Sequence, residues 1–279
     1  LNGDGGDIVP GGTLYKWTVA ANANVTGQSA QNVGQSSIGQ TLTNLTNTVQ
    51  TVVYTVTPTS GASGNCVGST FTVTVTVNPK PVIPGQTRAI CSGESFDVSL
   101  ENGIPTASTI VPSGTTYSWS APVVTGGVTG GASGSGSSSI SGTLVNPTNV
   151  AQTATYTVTP TSGASGNCVG STFTVTVTVS PKPSIGDKTA EICSGNGFSV
   201  SPTNGVGGDI VPAGTKYTWT VSANTNVTGQ GAQNVGQSSI GQTLTNLTNV
   251  VQTLVYTVTP SVGGTCTGGT FTVTVTVNP

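Results

Sequence analysis

Five cysteines, set against a complete lack of histidine, limit the chemistry open to this 279-residue chain. Cys91 and Cys193 stand in Ile-Cys-Ser-Gly, while Cys66, Cys168 and Cys266 each open a Cys-x-Gly triplet. A thiol can attack a substrate, ligate a metal or join a disulfide. Attack needs an adjacent base, and without His neither a Cys nor a Ser nucleophile has its ordinary one. Zinc needs Cys-x-x-Cys or Cys/His spacing, and neither occurs. Oxidation to disulfides remains. Each complete copy of the repeat described below holds one cysteine of each kind, Cys91 with Cys168 and Cys193 with Cys266, and Cys66 is left over. That bookkeeping favours a bridge within each copy and an oxidising compartment. Closing a loop of about 77 residues adds roughly 4 kcal/mol in the chain-entropy account. Free thiols and pairing between copies or chains are the alternatives.

Other candidate chemistry is thin. Asn2-Gly-Asp-Gly-Gly-Asp7 clusters oxygen donors in the way calcium favours. The equivalent loop keeps only Asp209 in the third copy and no acid in the second, so a glycine-rich turn is the better reading. Asn24, Asn44, Asn226 and Asn246 open Asn-x-Thr acceptor patterns. Asn44-Leu-Thr-Asn47 reads more readily as a polar turn in a Thr- and Asn-rich chain. The few carboxylates change place from copy to copy, so no acid/base pair is assigned. The sequence thus offers no catalytic, cofactor-binding or metal-binding residue, and an enzyme is not expected.

Composition agrees. With 6 basic and 8 acidic residues, only 5% of the chain is charged, against roughly 25% in ordinary soluble proteins. Nucleic acid is excluded as a partner because phosphate binding needs clustered Lys and Arg. No apolar run approaches the roughly 18 residues of a membrane span, so membrane insertion is not expected. Threonine outnumbers even the 40 glycines and supplies a neutral hydroxyl surface suited to the outside of a cell.

The elements that must position the cysteines are strands. Phe71–Val77, Phe173–Val179 and Phe271–Val277 each read Phe-Thr-Val-Thr-Val-Thr-Val. Alternation at period two sends Phe and Val to a core and Thr to water. Trp17, Trp119 and Trp219 recur at intervals of 102 and 100 residues in Tyr-x-Trp, and Tyr54, Tyr156 and Tyr256 each open Tyr-Thr-Val-Thr-Pro. Stiff Pro-Lys-Pro linkers occur at Pro79–Pro81 and Pro181–Pro183. Three domain-sized units follow: 1–79, lacking its first strands, 80–180, and 181–279. The counterpart of Pro181–Pro202 is missing before Leu1, which suggests a piece of a longer array.

In the second unit the expected strands are Val82–Ile90, Ser95–Leu100, Thr115–Ser120, Ile140–Leu144, Ala151–Pro160 and the Thr/Val strand. No segment has helical periodicity. The fold class is all-β: tandem Greek-key β-sandwich domains in an elongated array. The Trp of each unit is expected to plug the core; an exposed sugar platform is the alternative. The last strand is expected at an open sheet edge, where another chain can add a strand. In such a sandwich the start of the second strand and the last hairpin lie at opposite ends. A bridge within one unit therefore requires a rearranged first strand.

The ordered set Pro-Lys-Pro, Ile-Cys-Ser-Gly, Ile-Val-Pro-x-Gly-Thr-x-Tyr-x-Trp, Tyr-Thr-Val-Thr-Pro, Cys-x-Gly and Phe-Thr-Val-Thr-Val-Thr-Val-Asn-Pro resembles PKD-like repeats. Such repeats occur in very large surface proteins of Bacteroidota, including gliding adhesins delivered by type IX secretion. The resemblance implies an immunoglobulin-like fold, a stalk or adhesin role at the bacterial surface, and no catalytic residues. The expectation is a non-enzymatic extension module. Its expected partners are neighbouring repeats or copies of itself, with a surface glycan or other cell-surface ligand beyond them. Glycan binding through the inter-strand loops, or a self-assembling fibre with strand exchange, are the alternatives.

Overall fold

The computed structural model describes residues 4–279. Each unit builds its main sheet around a long central strand: Gln50–Thr59, Gln152–Thr161 and Gln252–Val262. On one side lies the trailing strand with the Thr/Val alternation, Phe71–Val77, Phe173–Ser180 or Phe271–Asn278. On the other lies the aromatic strand, Leu14–Ala20, Thr116–Trp119 or Lys216–Val221, followed by a short outer strand, Gln31–Gln35, Gly134–Ser137 or Gln233–Gln237. All of these pairs are antiparallel.

In units two and three a leading strand, Gln86–Cys91 or Lys188–Cys193, runs parallel to the trailing strand and covers its far edge. The last strand is therefore not the open edge expected from sequence. Among the described residues it is an edge only in unit one, where no leading strand exists. Parallel pairing of neighbours requires a long crossover. Here the crossover is the entire unit, and its local sequence carries no sign of it.

A small back sheet closes the sandwich. Ser95–Val98 pairs with Ile140–Thr143, and Gly197–Val200 pairs with Ile240–Thr243. Between the layers of unit two lie Phe96, Val98, Tyr117, Ile140, Leu144, Tyr156 and the inward Phe and Val residues of the trailing strand. Unit three repeats this set with Phe198, Tyr217, Ile240, Leu244 and Tyr256. The alternation behaves as its period requires: Phe173, Val175, Val177 and Val179 are buried, and the intervening Thr side chains face outward. In unit one the same pattern is only half-buried, and Phe71 is 42% exposed against 5% for Phe173 and 3% for Phe271.

The Trp expectation holds for Trp17 and Trp219, which are buried, whereas Trp119 is half-buried against its core. Each indole N–H donates to a carbonyl of the loop across the sheet: Ser29, Ala132 and Gly231 respectively.

Candidate functional site

The chemistry-bearing residues collect where one unit passes into the next. The Ile-Cys-Ser-Gly motif ends the leading strand, and each residue of its last three has a separate duty. Cys91 lies opposite Ser180, and Cys193 opposite Asn278, at the point where the trailing strand leaves its unit. Ser92 Oγ accepts the Asn146 N–H at 2.9 Å and donates to the Asn146 carbonyl at 3.3 Å; Ser194 does the same with Asn246. Gly93 and Gly195 sit at φ 84°, a left-handed conformation that glycine adopts without strain. From there each donates its N–H to Leu144 or Leu244 at 2.8 Å.

The asparagine in this clamp is itself buried. Asn146 Nδ2 reaches the carbonyls of Val150 (2.7 Å) and Val179 (2.9 Å), and Asn246 reaches Val250 and Val277. Asn44 makes the same two bonds in unit one, to Thr48 and Val77. Asn44 and Asn246 are thus structural plugs whose amides tie a turn to the trailing strand, in line with the polar-turn reading and not with glycosylation.

The second component is the hairpin before each trailing strand. In unit three the short pair Cys266–Thr267 lies against Ser261 and Val262, and Gly268 N–H donates to Pro260 at 2.8 Å. Gly268 packs so tightly on the Pro183 carbonyl of the linker that a side chain there has no room. Gly170 of unit two packs likewise on Pro81, and Gly166 on the Asn78 side chain at the end of unit one. The hairpin of each following unit is therefore seated on the exit of the unit before it.

This seating brings Cys91 of unit two against Cys266 of unit three. The two form a disulfide with Cα atoms 5.5 Å apart, both thiol positions buried. The pairing inferred by counting, Cys91 with Cys168 and Cys193 with Cys266, is overturned. The trailing strand separates the two sites within a unit, and from Phe173 to Ser180 alone it extends about 23 Å at 3.3 Å per residue. A disulfide needs Cα atoms within about 7 Å. Cys168 and Cys193 are free thiols, half-buried and exposed, and Cys66 is free and exposed. Among the described residues no group of three or more His, Cys, Asp or Glu is placed to hold a metal.

Unit three adds an ion pair near the same joint. Asp209, almost fully buried, takes Lys188 Nζ at 2.7 Å and accepts the Gly186 N–H at 2.9 Å. The carboxylate thereby fastens the start of the leading strand; its counterpart in unit two is the buried Thr109. Nearby, Asp187 accepts the Thr272 N–H at 2.7 Å, which holds its carboxyl below the usual aspartate range. Of the Asn2–Asp7 stretch, Asn2 and Gly3 lie outside the described residues; Asp4–Gly6 forms a 3-10 turn with Gly5 at φ 61°, the glycine-rich turn expected.

Unit one presents a groove of about 1170 Å³ lined by Tyr15, Ile38, Leu42, Tyr54, Phe71 and Val73, among others. In the complete units the equivalent space is filled by the leading strand and the back-sheet Phe, as in the Phe198–Tyr256 contact with ring centroids 5.2 Å apart. The groove thus lies where units two and three carry those elements, and it is lined like a core.

The PKD-like domain family matches residues 5–81, 88–183 and 190–279. No curated protein sequence matches the chain. Solved structures with similar folds include a three-repeat fragment of mouse cadherin-23, at 12% identity and TM-score 0.27, covering 95% of this chain and 86% of that one. A titin I-band fragment matches at 9% identity and TM-score 0.30, covering 96% and 88%. An endo-fucoidan hydrolase of glycoside hydrolase family 107 matches at 12% identity and TM-score 0.25, and this chain spans only 38% of its length.

Proposed function

Since the chain belongs to the PKD-like domain family over most of its length, we propose that it is a non-enzymatic extension segment of an extracellular protein. Its duty is to set distance and transmit load, in a bacterial surface adhesin or filament. The observation that carries this reading is the joint. Three copies of one fold are placed in series, the hairpins of the second and third copies pack on the linkers before them, and the disulfide ties the second copy to the third. A spacer needs repeated fold and firm joints, and does not need a site that differs between copies. The disulfide favours an oxidising compartment. Among the described residues no helix is long and apolar enough to cross a membrane, which says nothing of a β-barrel.

Glycan binding is less well supported, because Trp17 and Trp219 are buried and offer no stacking face. Small-angle scattering on the oxidised chain tests the spacer reading. Three sandwiches of about 35–40 Å give a rod of order 110 Å. A compact particle of about half that length contradicts it, as does loop-dependent micromolar binding on a glycan array.

A further inference from the structure

Cys91–Cys266 is the only pair of cysteines in the described chain that meets the joint geometry, and the repeat explains why the other three do not. We infer that this bridge is one instance of a staple repeated along the array, in which the leading-strand cysteine of each unit is oxidised onto the hairpin cysteine of the next. Cys193 is then the open half of a staple whose partner is the hairpin cysteine of a following PKD-like unit. Cys66 and Cys168 are open halves awaiting leading-strand cysteines. The inference rests on the repeat and its joint, and it stands whether or not the segment belongs to an adhesin.

The tail of unit three and the first joint support it. Cys193 is placed beside Asn278 just as Cys91 is beside Ser180, with the Ser194 N–H on the Asn278 carbonyl at 2.9 Å and the Ser92 N–H on Ser180 at 2.9 Å. The tail of unit three thus presents the same surface on which Cys266 sits at the tail of unit two, and there Cys193 is exposed. At the first joint the hairpin of unit two already seats on Pro81 and Asn78. Cys168 occupies the receiving position, and the strand that would carry its partner is absent beside Asn78. Cys66 and Cys168 hang in the same hairpin geometry: Cys66 and Cys168 carbonyls accept the N–H of Ser60 and Ser162 at 2.9 and 3.0 Å, and Gly68 and Gly170 donate to Pro58 and Pro160 at 2.9 Å. Each free cysteine is one whose staple partner lies outside this chain.

The consequence is mechanical. Staples that skip from each leading strand to the next hairpin leave two interleaved covalent tracks along an array. Each track runs through segments like Cys168–Cys193, whose ends are 25 positions apart. Fully drawn out, such a segment reaches about 85 Å. The two folded units it spans already cover about 75 Å by strand length and loops. An oxidised array of these units lengthens by no more than about a fifth before a covalent bond must break.

Oxidative coupling tests the staple. With oxidised glutathione as the disulfide donor, the Cys193 thiolate attacks one glutathione sulfur and expels the other as a thiol. The Cys66 thiolate of a second copy then displaces the remaining glutathione. Two protein thiols are oxidised, one glutathione disulfide is reduced to two thiols, and the two protons released are taken up by them. The expected result at high protein concentration is a ladder of dimers and trimers on a non-reducing gel. Digestion and mass spectrometry should give Cys91–Cys266 within a chain and Cys193–Cys66 between chains. Cys193→Ala should lose the ladder while keeping Cys91–Cys266, and Cys168→Ala should leave it unchanged. Bridges Cys91–Cys168 or Cys193–Cys266, like-with-like dimers, or an intact Cys91–Cys266 with no Cys193–Cys66 product would each overturn the staple.

Discussion

At the scale of single residues, the buried asparagine is the least replaceable polar group. Asn246 satisfies the Val250 and Val277 carbonyls and receives Ser194 on its backbone. Asn246→Ala removes the Nδ2 donor from both carbonyls; Val250 keeps the Thr248 hydroxyl at 3.1 Å, while the buried Val277 loses its side-chain donor, at a cost of about 1–3 kcal/mol. Denaturant unfolding of the chain should show that loss, whereas Asn226→Ala, on an exposed turn, should be nearly neutral.

Tyrosine sets the response to pH. Burial pushes Tyr117 and Tyr256 up to about 12, from about 10 for a free phenol. A folded-state value raised above the unfolded one gives stability that is whole below the unfolded value and is lost as pH rises through the folded one. Thermal midpoints should therefore hold steady to about pH 10 and fall between about 10 and 12, with tyrosinate absorbance appearing together with unfolding. Asp97 and Asp187 act in the opposite sense. The Ser139 and Ser99 hydroxyls lower Asp97, and the Thr272 N–H lowers Asp187, so what they contribute is lost as pH falls through those lowered values. With no histidine in the chain, no such change is expected near neutrality.

At the scale of elements, one strand tests how much the leading strand matters. Phe271 is buried under a complete sandwich, while the identical Phe71 faces the open groove of unit one. Phe271→Ala should cost about 3–5 kcal/mol, and Phe71→Ala less than half of that, as read from the unfolding transitions of the two variants. The Thr/Val strand was legible in the sequence because a period of two admits no other reading. So was the Tyr-x-Trp strand, with its aromatics on one face. The outer strand Gly134–Ser137 was not, since Gly-Ser-Gly-Ser has neither alternation nor β-branching and is held in the sheet only by its partner Thr116–Trp119. Nor was the leading strand's place. Gln86–Cys91 pairs with residues some ninety positions away in parallel register, and nothing local in Gln-Thr-Arg-Ala-Ile-Cys encodes that partner.

At the scale of the whole molecule, the cysteines show where counting stops and geometry begins. One of each kind per unit suggested closure within a unit. The sandwich instead puts the two kinds at opposite ends, and only the neighbour brings them together. That an internal bridge would need a rearranged first strand was legible in the sequence; the seat of Gly268 on Pro183, which makes the meeting point a joint between units, was not.

The same bridge decides how the molecule carries tension. Pulled from its termini, the oxidised chain passes load from Cys91 directly to Cys266, so the residues between them are shielded. Force spectroscopy on single molecules measures this most directly. Without reductant, the total length released should fall short of the full chain by a bridge-spanned separation of 175 residues, about 600 Å. Reductant, or Cys91→Ala, should restore that length. Release of the full length from the oxidised wild-type chain would contradict a load-bearing joint, and with it the reading of this protein as a spacer.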